Sequence, residues 1–211
     1  IGKKGEFRSV ILKEKNDHQF DLVYSVKDLP MMMTPNIVYD QKPIAEIKGK
    51  SITMSGKIDD KVIVETTYQF LDESGLMGIN MKFRNQTAES LSISNLKIGI
   101  GPGINSDDTK NQKQMLRDMK SSFYVNDEFY KKSKVEFYNN SPKSWIAVSN
   151  KYFISAILDV DKKFDKIDVS SLKSKAKLPE IYYSKDMVLL PNPHCPIITN
   201  VSPECIVKET F

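Results

Sequence analysis

Apolar and polar residues alternate along much of this chain. Val62, Val64, Thr66, Tyr68 and Phe70 are spaced two apart, with Glu65, Thr67 and Gln69 between them. That is the period of a strand with one buried face. Phe20, Leu22, Tyr24 and Val26 repeat the pattern. Ile79 to Arg84 shows it again after the turn Asp72-Glu73-Ser74-Gly75, so the two flanking strands are expected to pair antiparallel with one wet face. Leu91 and Ile93 begin a strand whose phase slips before Leu96, Ile98 and Ile100, as a β-bulge would make it do.

The densest run of strand formers is Tyr138 to Asp161. Trp145 to Val148 predicts one short strand, Ser149-Asn150-Lys151 a turn, and Tyr152 to Val160 a second strand. In the second strand Tyr152, Ile154, Ala156 and Leu158 share one face, and Phe153 and Ile157 lie on the other. Being apolar on both faces, this hairpin is expected at the centre of a sheet, with Trp145, Tyr152 and Phe153 in the core.

Shorter signals fill the rest. A glycine turn leads into a strand ending near Lys13, and strand pieces from Ile44 to Met54 are broken at Gly49. Pro30 and Pro35 bracket Met31, Met32 and Met33, which marks a connection rather than a central strand. Its methionines suit adaptable packing over a sheet edge, or a sticky ligand-binding surface. Asn105 to Ser122 is polar, with one weak helical turn through Met115, Leu116 and Met119. Phe123-Tyr124, Val135 to Tyr138, Ile181 to Leu190 and Ile197 to Phe211 read as extended, and the Lys/Asp/Ser-rich stretch from Lys162 to Lys177 as exposed. Many short strands and almost no helix predict an all-β fold of two packed antiparallel sheets, in a single domain over residues 1–211.

Composition changes this picture little. Of the 211 residues, 40% are hydrophobic and 27% charged, as in ordinary soluble domains. No apolar run approaches the length needed to cross a bilayer. Ile1-Gly2-Lys3-Lys4 enters a strand-like pattern without signal-peptide character, and the chain is expected to be part of a longer one. The net charge of +4 comes from scattered lysines. The densest runs, Lys131 to Lys134 and Lys173 to Lys177, read as solvated loops, because no aromatic residues interleave with them as in a nucleic-acid platform. Beside a membrane they would still attract anionic lipid weakly.

Candidate chemistry is sparse. Cys195 and Cys205 either close a short disulfide loop in an oxidising compartment or stay as buried thiols. Their spacing is not that of a redox or zinc motif, and His194 beside Cys195 has no second histidine near it. Gly99 to Ile104 lacks the Lys-Ser/Thr of a phosphate loop and reads as a strand ending in a glycine-proline corner. Asn85-Gln86-Thr87 is formally a glycosylation sequon and is read as a turn. No catalytic, cofactor-binding or metal-ligating residue is assigned.

Several segments carry a family resemblance. Trp145-Ile146-Ala147-Val148-Ser149-Asn150-Lys151-Tyr152-Phe153 resembles the Trp-x-Ala-x-x-(Asn/Gln)-x-Tyr-Phe segment of the large periplasmic domain of the YidC family of membrane-protein insertases. Ser9 to Lys13 is similar to that family's opening Ser-x-x-Leu-Lys, with its Gly-Gly loosened to Gly2-Lys3-Lys4-Gly5. Thr67 to Phe70 and Ile79 to Asn85 look like its paired strands ending in an Asn turn. Ile98 to Gly103 resembles its Trp-Gly-Pro-Gly corner, with Ile100 in the aromatic position. The order matches the family's order, and the family's C-terminal Gly-Pro-Lys segment is missing.

The resemblance implies a β-supersandwich similar to the galactose-mutarotase fold. It implies a place on the periplasmic side of the bacterial inner membrane, between the first and second transmembrane helices. The family inserts and folds membrane proteins, alone or with the Sec translocon, through a groove among transmembrane helices that this chain does not contain. The chain is therefore expected to be a non-enzymatic accessory module, with Sec translocon components (SecDF, SecYEG) and nascent membrane proteins as partners and no nucleic acid. The contact surface is expected at an exposed sheet edge or a cleft between sheets. The alternative is a carbohydrate-binding or mutarotase-like protein of the same fold, which would need a positioned acid and base. Only His18 and His194 are available as histidines. A third reading, an envelope chaperone or lipid carrier, would use an apolar groove hinted at by Met31 to Met33.

Overall fold

The computed structural model describes residues 11–13, 19–21, 32–33, 37–71, 76–101, 103–104, 118–131, 135–138, 143–150, 154–159, 163–171 and 178–191. His18, Met31, Tyr152, Phe153, His194, Cys195, Cys205 and the stretch from Ile197 to Phe211 lie outside them. So do most of the helical turn expected around Leu116 and most of both basic runs.

The strands in chain order are β1 (Ile11–Lys13), β2 (Gln19–Asp21), β3 (Met32–Met33), β4 (Ile44–Lys48), β5 (Ser51–Ile58), β6 (Val62–Leu71), β7 (Leu76–Asn85), β8 (Leu91–Ile100), β9 (Lys120–Val125), β10 (Glu128–Tyr130), β11 (Val135–Tyr138), β12 (Ser144–Ser149), β13 (Ile154–Asp159), β14 (Lys166–Ser171) and β15 (Pro179–Leu189). Their pairings are antiparallel, and the chain has the expected all-β class. It forms two compact units: residues 1–36 with 95–185, and residues 37–94 with 186–211.

The second unit is built on a meander ordered β4-β5-β6-β7. Register explains why it folds. Val64 faces Phe83 and Gly56, and Thr66 faces Met81 and Met54, so these alternating residues stack on one face. Val62, Val64, Thr66, Tyr68, Met81 and Phe83 are buried there, while Phe70 at the strand end is exposed. The opposite face is polar, with Thr53 and Thr67 joined Oγ1 to Oγ1 at 2.9 Å. The Tyr39 ring lies where a Cβ on Gly56 would stand, so only glycine fits at that position. Gly49 has φ +56° at the first position of the two-residue turn from β4 to β5, where a side chain would be strained.

Asn85 ties this unit together. Its amide donates to the carbonyls of Glu89 (2.7 Å), Leu189 (3.3 Å) and Leu190 (3.2 Å). Its Oδ1 accepts from the Thr87 amide at 2.8 Å and the Thr87 hydroxyl at 2.9 Å. The sequon is thus a turn: Asn85 is 4% exposed and its amide is occupied.

The first unit holds a pair β1-β2, a four-stranded sheet ordered β10-β9-β12-β13, and residues of a five-stranded sheet ordered β11-β14-β15-β8-β3. Phe123, Val125, Ile146 and Val148 of the four-stranded sheet are buried, as are Ile167, Val169, Ile181 and Tyr183 of the five-stranded one. The two faces meet where the Ser144 hydroxyl and the Tyr183 phenol share a buried hydrogen bond of 2.7 Å. Phe164 stacks on Tyr183 beside it, with ring centroids 5.3 Å apart. The Asp159 carboxylate shapes the connection after β13 by accepting from the amides of Lys163 (2.8 Å) and Phe164 (3.1 Å).

The slip in phase expected in β8 falls at Asn95. Asn95 sits at φ +57°, and burial switches there from alternating exposure to the buried Leu96, Ile98 and Ile100. Asparagine tolerates this left-handed conformation better than most residues. Met32 and Met33 pair with Ile100 and Gly99 at the edge of the five-stranded sheet, in keeping with a connection that is not a central strand.

Two expectations are corrected. Lys166–Ser171 is not exposed throughout but a strand between β11 and β15, with Ile167 and Val169 buried. Ile167 and Val169 suffice to anchor it, and its polar face finds partners. The apolar hairpin is not central on both strands either: among the described residues β12 is interior, but β13 is an edge, with Ile154 and Leu158 65% and 61% exposed.

Candidate interaction surface

Three places in the fold offer surface or chemistry beyond packing. The first is the free edge of the β4-to-β7 sheet. All five residues of β4 are exposed on both faces, with Ile44 at 76% and Ile47 at 74%. One side of β4 pairs with β5, from Ile44 opposite Ser55 to Lys48 opposite Ser51. Its other side has no strand neighbour among the described residues. An extended segment can add there by main-chain hydrogen bonds, with Ile44 and Ile47 gripping its side chains from opposite faces. Glu46 and Lys48, paired at 2.8 Å, put charge on the edge, which discourages indiscriminate pairing.

The second place is the polar side of the five-stranded sheet. Lys97 Nζ stands 3.2 Å from the Asp168 carboxylate and 5.5 Å from the Tyr182 ring centroid. The Ser184 hydroxyl donates to Asp168 at 3.0 Å. The Tyr182 ring lies over Gly99, where any Cβ would strike it and would stand 2.6 Å from the Ile181 carbonyl. Glu180 accepts from the Ser170 hydroxyl and from Tyr182. Burial pushes the Glu180 carboxyl above its usual range, against those two hydrogen bonds. Burial first, and then the Glu180 charge, raise the Tyr182 phenol far above its ordinary value. A raised carboxyl beside a tyrosine is the sort of pair an acid–base site uses. Here, however, each polar group faces another member of the cluster. Among the described residues no group of three or more His, Cys, Asp or Glu side chains converges as a metal site would.

The third place is the outward face of the four-stranded sheet. Trp145 is half-buried there, not in the core as its apolar neighbours suggested. Strand alternation explains the difference. Ile146 and Val148 take the buried side, and Trp145 takes the other. It stacks on Tyr124 (centroids 6.4 Å apart, planes at 10°) and leans on Phe129 (5.7 Å, 45°). The Tyr124 hydroxyl donates to Asp127 at 3.1 Å, and this bond raises the phenol's pKa. Asn126 and Asp127, both at positive φ, form the two-residue turn that brings Phe129 back beside Tyr124.

Sequence reasoning named no site residues. The Asn-Asp pair was the available signal for the β9–β10 hairpin. Nothing in the sequence marks β4 as an edge, because an edge is a property of pairing.

No curated protein sequence matches the chain at a significant level. The family model described as the YidC periplasmic domain matches residues 9–194, nearly the whole chain. The match takes in the opening strand, the β6–β7 pair, the Gly-rich corner and the Trp145 segment together. The chain belongs to the YidC periplasmic domain family.

Proposed function

We propose that this chain is the large periplasmic domain of a membrane-protein insertase and serves there as a non-catalytic contact module. In this reading it lies on the periplasmic side of the inner membrane as one domain of a multi-pass protein. It assists insertion and folding by engaging Sec translocon components and emerging membrane-protein segments. The family match supports the setting, and the fully exposed β4 edge is the observation that supports a contact role. An extended apolar segment entering or leaving a translocon has unpaired backbone groups, and a free strand edge satisfies them.

Protease added to spheroplasts of the source cell tests the setting. An epitope tag placed in the turn at Gly49-Lys50 of the natural full-length protein should fractionate with membranes. It should be cut from outside while a cytoplasmic control survives. Recovery of the tagged protein in the soluble fraction would refute the reading.

A further inference from the structure

We propose that the outward face of the β10-β9-β12-β13 sheet is a docking site for an anionic lipid surface. Register fixes its geometry. Phe129 lies opposite Tyr124, Tyr124 opposite Trp145, and Trp145 opposite Leu158. The four side chains therefore form one row across four strands, on one face. Farther along the same face Ile154 stands opposite Ser149, which stands opposite Lys120. Phe129 is 54% exposed, and Leu158 and Ile154 are more exposed still. Three large apolar side chains this open, framing two stacked aromatic rings, are more than the scattered apolar residues of an ordinary surface.

The charges around the row say what covers it. Lys131 holds its ammonium 5.4 Å from the Phe129 ring centroid. Lys120 is exposed and shares the face of Tyr124 by the period of two, and Lys143 is exposed where β12 begins. Asp127 is the acidic group in contact with the row, through the Tyr124 hydroxyl. The surface is thus apolar at its middle and mainly cationic at its rim. Amphipathic Trp and Tyr rings, with lysines that lay their stems on apolar surface and hold their heads in water, suit the bilayer interface. An apolar polypeptide would cover the rings but offer no anionic group to the exposed Lys120 and Lys131. A headgroup layer bearing phosphates answers both, and its surface potential attracts each lysine. The inference rests on the proposed periplasmic setting only for a bilayer being within reach.

Trp145 is the chain's only tryptophan, so its emission reports on this face. The chain is titrated with vesicles of phosphatidylglycerol and phosphatidylcholine, and separately with phosphatidylcholine alone. Binding to the anionic vesicles should shift the emission to the blue, protect it from acrylamide, and weaken as salt rises. Lys120→Glu with Lys131→Glu should lower vesicle affinity about tenfold or more. Phe129→Ser with Leu158→Ser should abolish the blue shift. These positions are exposed, and an unchanged urea midpoint would confirm that the variants fold. An unmoved spectrum with anionic vesicles, or equal binding to both vesicle types, would overturn the proposal. So would a blue shift produced by an apolar peptide when anionic vesicles produce none. The assay contains no partner protein, so its failure leaves the periplasmic reading standing. A failed topology experiment likewise leaves the vesicle result standing.

Discussion

Replacing Asn85 tests the account of how the second unit is held. Its amide hydrogens serve three carbonyls, of Glu89, Leu189 and Leu190, and its oxygen receives two hydrogen bonds from Thr87. Asn85→Ala removes all of these at a position only 4% exposed. A net hydrogen bond is worth about 1 kcal/mol, and a buried group left unpaired costs about 1–3 kcal/mol. The donation to Glu89 and the two bonds accepted from Thr87 are partly replaceable by water, whereas the donation to the buried Leu189 carbonyl is not. The expected loss is therefore about 2–4 kcal/mol, read as a lower urea midpoint with the slope unchanged.

Asn85→Asp sharpens the test. The shape is kept, but a carboxylate oxygen now faces three carbonyl oxygens. At pH 7 this variant should be less stable than Asn85→Ala. The new carboxyl should have a folded-state pKa raised above its unfolded value of about 3.9. Its protonated form can donate again, so stability should be regained below about pH 4 and lost as pH rises through the raised folded value. A loss under about 1 kcal/mol for the alanine variant, on the scale of one ordinary hydrogen bond, would refute the reasoning. So would an aspartate variant at least as stable as it at pH 7.

Three further outcomes follow from the first unit. Gly99→Ala should destabilise by about 1–3 kcal/mol or more, because the new methyl group meets the Tyr182 ring and the Ile181 carbonyl, and backbone cannot step aside; calorimetry would show it. Ser144→Ala and Tyr183→Phe should each cost about 1 kcal/mol and more where the partner is left buried and unpaired. Their double-mutant cycle should give a coupling of about 0.5–1.5 kcal/mol for the 2.7 Å bond. Because burial raises the folded-state pKa of Glu180, that group favours the fold at low pH, and its contribution is lost as pH rises through the raised value. Urea midpoints against pH should therefore flatten over that window in Glu180→Gln.

The parts of the fold legible in the sequence are those where period and chemistry agree. Val64 to Phe70 of β6 and Ile79 to Arg84 of β7 alternate, with Glu65, Thr67, Gln69, Asn80 and Lys82 on the wet face, so strand, face and partner could all be read. The change of buried face at Asn95 was visible as a slip in phase, at a residue that accepts positive φ. β14 was hidden because only Ile167 and Val169 mark its buried side. Its other side looks like a loop until Asp168 is seen between Lys97 and Ser184. The Trp145 hairpin misled in the opposite direction. Two apolar faces suggested two covers, but among the described residues β13 is an edge, and Ile154 and Leu158 on one of its faces are exposed. Half-buried and stacked, Trp145 should cost less on replacement by alanine than the roughly 3–5 kcal/mol of a fully buried aromatic. The contact surfaces were illegible for the same reason. Ile44 and Ile47 read as ordinary strand residues, and only pairing leaves them open.

The central claim is that this chain contacts other proteins through an exposed strand edge. Photocrosslinking from position 47, in place of Ile47, in the natural full-length protein during synthesis of a membrane protein tests it most directly. The account predicts adducts with Sec translocon components or the emerging chain from position 47, and none from the buried position of Val64. Absence of adducts from positions 44 and 47 alike, with adducts recovered from another surface of the domain, would contradict it.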